Sequence, residues 1–268
     1  TNRSVEQMQG EGGSTADRKR SAADFALWKQ AKPGEPSWDS PWGPGRPGWH
    51  IECSAMSKAI LGETFDIHGG GLDLVFPHHE NEIAQSEAAR SKPLAKIWMH
   101  NGMIETDAEK MSKSEGNIFQ LSEALDRFGS EAVVAYLISG HYRQPLAFGE
   151  EQLNEAVARV DRLRNFLRSH PPEGSSGEGA AGEGQGPGDA PKAPAAGEAA
   201  GAVSRFRDAL ADDFNTPRAM SELFDFVRAA NHEPVAGAGD AVLGMLELVG
   251  LESLAEDEHS GPDEAALD

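Results

Sequence analysis

Residues 65–84 read FDIHGGGLDLVFPHHENEIA. A short apolar run, Phe65 and Ile67, leads through His68 into Gly69-Gly70-Gly71, then Asp73, then Pro77-His78-His79-Glu80-Asn81-Glu82. The pattern predicts a strand over 64–68, a glycine turn, and a helix over 77–90 that begins near Pro77, since proline suits a first helical turn. On such a helix His78 and Glu82 stand four apart and face the same way. Upstream lies Cys53, the single cysteine of the chain. A thiolate, an imidazole and a carboxylate from two neighbouring helices form a plausible zinc-binding set. Glycines beside it admit a close approach of ligand to backbone.

Working outward, residues 50–61 carry apolar positions at Ile51, Ala55, Met56, Ala59 and Ile60, a helical spacing ended by Gly62. Cys53 is then expected in the first turn, where the helix dipole favours a thiolate. A second apolar run, Ile97-Trp98-Met99-His100, follows the 77–90 helix. Strand and helix in short alternation predict an α/β unit with a mainly parallel sheet. Ligands of such sheets bind beyond the carboxyl ends of the strands, where His68 and His100 fall. Residues 33–49 are rich in proline and hold Trp38, Trp42 and Trp49, which predicts an ordered loop pinned by its aromatics.

Beyond residue 118 the character changes. Residues 121–127, 131–139 and 150–169 read as helices, the last with a stripe of Leu153, Val157, Val160, Leu163 and Leu167. That helix also bears Arg159, Arg162, Arg164 and Arg168, either a solvated face or a contact for an RNA backbone. Residues 171–201 are low in complexity and without large apolar side chains, the composition of a linker. Helical period resumes at Val203, breaks at Asn215-Thr216-Pro217, and returns over about 240–249. Residues 1–21 and 251–268 read as a disordered lead-in and an acidic tail.

The chain has 268 residues and a formal net charge of -20, which taken whole argues against a general nucleic-acid binder. One cysteine excludes an internal disulfide framework. No apolar run approaches the 18 or so residues of a membrane span, and no signal-peptide pattern is present, so a cytoplasmic location without membrane association is expected.

The segments GWHIECSAMS (48–57), FDIHGGGLDLVFPHHENEIAQSEA (65–88), WMHNGMI (98–104), KMSKSEGN (110–117), SGHYR (139–143) and DDFNTPRA (212–219) together resemble cysteinyl-tRNA synthetases. The KMSKS-type loop alone marks class I synthetases in general, whereas Cys53 with FPHHENE is much narrower. The resemblance implies a fold class of α/β type. It expects the second half of a Rossmann-type catalytic domain (22–118), a helical stem-contact region (119–170), the linker 171–201 and a DALR-like helical bundle (202–250). It implies activation of L-cysteine with ATP and Mg²⁺ to cysteinyl-adenylate, then transfer to the 3′ end of tRNA(Cys). By the same resemblance Cys53, His78 and Glu82 are zinc ligands. Lys110 and Lys113 reach the ATP phosphates, and His68, Gly69, Gly70, Gly71 and Asp73 form the nucleotide side. Trp49 and His100 attend the bound cysteine. Asp73 as a brace of its turn, Trp49 as packing, and His79 and His100 as structural histidines stay open beside those roles.

The family's catalytic domain opens with a first Rossmann half that carries a HIGH-type motif and another zinc-binding cysteine. Neither is found in the 268 residues, so a carboxyl-terminal portion is expected, inactive in cysteine activation by itself and monomeric as the family tends to be. Two rival functions remain: a cysteine:glucosaminyl-inositol ligase of mycothiol synthesis, which shares the zinc and adenylate chemistry, and a tRNA-binding fragment without catalysis.

Overall fold

The computed structural model describes residues 19–21, 23–106, 120–173 and 196–256. Most of the predicted lead-in, the KMSKS-type loop, most of the linker and most of the tail lie outside them. The chain divides into two compact units, residues 1–102 and 103–268.

In the first unit β1 (Trp28–Gln30) pairs antiparallel with β2 (Gly45–Pro47). The proline-rich loop between them is not pinned by aromatic packing, because Trp38 is 58% exposed and Trp42 80% exposed. It is tied instead by the reciprocal backbone bonds of Trp38 and Gly45, at 2.8 and 2.9 Å, and by the Arg46–Glu35 ion pair at 3.0 Å. Helix α1 (Trp49–Leu61) follows and ends at Gly62, whose φ of 92° suits the residue without a side chain. Strand β3 (Phe65–Gly71) pairs parallel with β4 (Ala95–Asn101), and α2 (Glu80–Arg90) connects them. This is the predicted strand–helix–strand unit, with Phe65, Leu94 and Ala95 as its apolar core.

Two local expectations are corrected. The three glycines do not form a turn: all lie in β3, paired with Met99, His100 and Asn101 of β4. The strand continues because a neighbouring strand supplies its hydrogen bonds, a tertiary effect that overrides the low strand preference of glycine. The helix does not begin at Pro77 either. A short turn, Leu72–Leu74, and an irregular five-residue turn, Val75–His79, precede it, with a cis peptide bond between Phe76 and Pro77.

In the second unit β5 (Ile104–Thr106) pairs parallel with β6 (Leu146–Phe148). Around it stand α3 (Leu121–Phe128), α4 (Ser130–Leu137), α5 (Glu150–Ser169), α6 (Ala196–Ala211), α7 (Thr216–His232) and α8 (Ala238–Glu247). One apolar cluster runs through them, with Leu153, Leu163, Phe206, Leu223 and Val242 among its most buried members. Asn215 caps α7 by accepting from the backbone N–H of Arg218, with Pro217 in the first turn as its spacing predicts. The linker is shorter than the predicted 171–201, since α6 starts at Ala196 and buries Ala199 and Ala202. Alanine is the strongest helix former, and its small side chain lets α7 pack closely. Among the described residues no helix is long and apolar enough to cross a membrane.

Candidate metal centre

Five short pieces of the first unit converge on one buried carboxylate. Helix α1 brings Trp49, His50 and Cys53; β3 brings His68; the irregular turn brings His78 and His79; α2 brings Glu82; and β4 brings Trp98 and His100. The two helices are fastened by Gln85, whose amide donates to the carbonyl of His50 and to the Ser54 hydroxyl.

Cys53, His78 and Glu82 offer ligand atoms that all lie within 4.8 Å of one another. His78 Nε2 stands 3.8 Å from Glu82 Oε1. Glu82 is fully buried, and His78 and His79 are buried with it. One oxygen of Glu82, Oε2, lies 2.9 Å from His68 Nε2, while Oε1 is buried without a hydrogen-bond partner. A buried carboxylate oxygen left unpaired costs several kcal/mol. A cation among Cys53, His78 and Glu82 removes that cost, and a set of one sulfur, one nitrogen and one oxygen donor suits zinc.

The remaining contacts orient these groups. His50 Nδ1 lies 2.8 Å from His78 Nδ1, which leaves His78 Nε2 as its nitrogen towards Glu82. The Trp49 ring stacks on the His78 ring at 4.3 Å and 22°. His79 Nδ1 lies 2.9 Å from His100 Nε2. Gly70 closes the packing on the other side: a Cβ there would come within 2.9 Å of His79 Cε1 and 3.0 Å of Leu74 Cδ1. Burial first, and neighbouring histidines second, lower His79 to about 4, and burial likewise lowers His78 and His50. These rings are neutral near pH 7, the form in which imidazole ligates a metal.

The thiol of Cys53 follows a different rule from the one its sequence suggests. Cys53 sits in the second turn of α1, not the first, and burial followed by the carboxylates of Glu82 and Glu52 raises its pKa. The protonated thiol is therefore favoured here, and a cation beside the sulfur would offset both causes and favour the thiolate.

Of the residues singled out from the sequence, the fold gathers Cys53, His68, His78, His79, Glu82, Trp49 and His100. Asp73 is exposed on the turn Leu72–Leu74. Lys110 and Lys113 lie outside the described residues. His50 carried no expectation from the sequence; its signal was the spacing of three from Cys53 on one helix, which places both on one face.

A family model of the class I (C) tRNA synthetase catalytic domain matches residues 1–158, more than half of the chain. The chain belongs to the cysteine–tRNA ligase family of class I synthetases. A DALR domain model matches residues 205–247, over α6 to α8. A cysteine–tRNA ligase of Geobacter sulfurreducens is 53% identical over 239 residues, covering 89% of this chain and 48% of that protein. One of Ectopseudomonas mendocina is 51% identical over 242 residues, covering 86% and 48%. The chain thus spans about half the length of the curated relatives it matches. Among solved structures, a LeuRS–tRNA–LeuAMS ternary complex of Agrobacterium radiobacter superposes with a TM-score of 0.61 at 13% identity, over 83% of this chain and 34% of that one. That likeness is one of fold, and agrees with a class I synthetase catalytic domain followed by a helical domain.

Proposed function

We propose that this chain carries the cysteine-recognising metal centre of a cysteine–tRNA ligase, with Cys53, His78 and Glu82 as zinc ligands. The observation that carries the reading is the partnerless buried Oε1 of Glu82, facing a thiol and a neutral imidazole. Bound there, zinc supplies a soft Lewis acid that takes a thiolate in preference to a hydroxyl, and so separates cysteine from serine.

The protein's own groups then divide the work. His50 holds the His78 ring, and Trp49 covers that ring against water. Trp49 and His100 are the residues we place nearest the substrate cysteine. The nucleotide side is proposed to use the extended backbone of Gly69, Gly70 and Gly71, with His68 and Asp73 beside it; at Gly70 the space of the absent side chain is taken by His79 and Leu74. Lys110 and Lys113 are proposed to carry ammonium groups to the ATP phosphates, Lys113 foremost, where they stabilise charge spreading at the α-phosphate. The reaction is the family's: a carboxylate oxygen of cysteine attacks the α-phosphorus of Mg-ATP and pyrophosphate leaves. The terminal ribose hydroxyl of tRNA(Cys) then attacks the activated carbonyl and AMP leaves. A Rossmann-type core, a stem-contact region near 119–170 and a tRNA-facing bundle belong to the same proposal. The DALR match favours this over the amino-sugar ligase.

Zinc content by elemental analysis tests the centre: about one ion per chain, lost in Cys53→Ser. In the protein carrying this chain, ATP–pyrophosphate exchange should follow cysteine and not serine. Equal exchange with serine would remove the recognition role.

A further inference from the structure

We infer that His68 is a positioning residue that holds the Glu82 carboxylate turned so that its other oxygen faces the metal centre, an inference that rests on the reading of Cys53, His78 and Glu82 as ligands. The two carboxylate oxygens are chemically equivalent, and a glutamate side chain reaches several rotamers. Something must fix one oxygen towards the cluster. His68 Nε2 is 2.9 Å from Oε2, a hydrogen-bond distance, while His79 Nε2 is 4.0 Å away and too far to take its place. A carboxylate only accepts, so His68 carries its proton on Nε2 and donates.

His68 is itself firmly held. It lies on β3 in register with Trp98 of β4, and the Trp98 and His79 rings pack on it at 4.7 and 4.6 Å. The donor is therefore supplied by strand geometry rather than by a free side chain. With Oε2 engaged, Oε1 is the oxygen left towards His78 Nε2 at 3.8 Å.

His68, His79 and Glu82 also lie close enough to suggest a second cation site. The His68–Glu82 separation speaks against it: two ligands of one tetrahedral zinc stand about 3.3 Å apart, whereas 2.9 Å is the length of a direct hydrogen bond. Outer-shell donors of this kind commonly change metal affinity by about 10–100-fold.

The test is zinc affinity of the 268-residue chain, by competition with a chromophoric chelator, for the unsubstituted protein, His68→Ala, His68→Gln, His68→Asn and Cys53→Ser, with tryptophan fluorescence as the check on folding of the first unit. His68→Ala should weaken zinc about 10–100-fold. His68→Gln, whose amide N–H reaches nearly as far as Nε2–H, should recover most of it, and the shorter His68→Asn should not. With Co²⁺ in place of zinc, the thiolate charge-transfer band should persist in His68→Ala and vanish in Cys53→Ser. Unchanged affinity in His68→Ala overturns the inference, as does equal weakening by Gln and Asn. So does a stoichiometry of two zinc ions with one lost in His68→Ala. If His68→Ala does not fold, the Gln–Asn comparison decides. Full affinity in Cys53→Ser overturns the metal reading itself.

Discussion

At the scale of single residues, the first unit depends on a contact that a side chain at position 70 would break. His79 is buried with its Nδ1 at the His100 ring, so it has no room to retreat from a methyl group. Gly70→Ala would press that methyl to 2.9 Å from His79 Cε1. Overpacking of this kind costs about 1–3 kcal/mol, read as a lower midpoint in urea unfolding; an unchanged midpoint would mean that the ring shifts freely. The residues of the candidate centre were largely legible in the sequence, because a cysteine, a histidine and a glutamate at helical spacing are chemically distinctive. What was not legible was their partnering. No spacing rule says that His68 reaches Glu82 or that His50 reaches His78, since the first contact depends on how β3 lies against α2 and the second on how α1 lies against the irregular turn Val75–His79.

At the scale of elements, two turns of the second unit are tied by polar contacts. Arg143 and Tyr142, after α4, both bond the carboxylate of Asp213 before α7: Tyr142 Oη donates at 2.8 Å and Arg143 Nη2 at 2.9 Å. Asp213 and Phe214 hold left-handed φ values of 56° and 53°, a conformation these contacts help to maintain. The Arg143 hydrogen bond first, then that of Tyr142, lowers Asp213 to about 2. A lowered carboxyl pKa gives a contribution that is complete above the unfolded value near 3.8 and is lost as pH falls through about 2. A carbon-detected NMR titration should place the Asp213 midpoint near 2, and Arg143→Ala should move it back towards the ordinary carboxylate range. A second tie is Tyr136, buried on α4, whose hydroxyl donates to the carbonyl of Ala147 at 2.9 Å. Burial raises it to about 12, so its contribution persists below the unfolded pKa and fades as pH rises through about 12. Tyr136→Phe should cost about 1 kcal/mol in chemical unfolding. Helices were the most readable elements because their apolar stripes repeat over many turns. The glycine strand was misread because its pairing is supplied by β4, far along the chain.

At the scale of the whole molecule, the two units rest on different physics. The second is an apolar core of stacked helices, closed by contacts as tight as that of Gly239, where an added methyl would strike the carbonyl oxygen of His170. Among the described residues, the first buries only Phe65, Leu94 and Ala95 as a hydrophobic cluster, yet it buries Ser54, His78, His79, Glu82 and Ser86. Apolar burial is the main driving force of folding, so a unit this poor in it should draw much of its stability from the metal its polar centre fits. Ligand linkage sets the size: at a free zinc concentration 100 times the dissociation constant, binding adds about 2.7 kcal/mol. The sequence provides a clean separation of signals, because all five tryptophans, at 28, 38, 42, 49 and 98, fall in the first unit, while the longest helices belong to the second. Removing zinc with a chelator should therefore lower the unfolding midpoint followed by tryptophan fluorescence. The midpoint followed by helical circular dichroism should shift much less. In Cys53→Ser the fluorescence midpoint should already be low, and the chelator should leave it where it is. Coincident shifts in both signals would show instead that the two units melt as one, and no shift in either would show that the polar centre is stable without its metal.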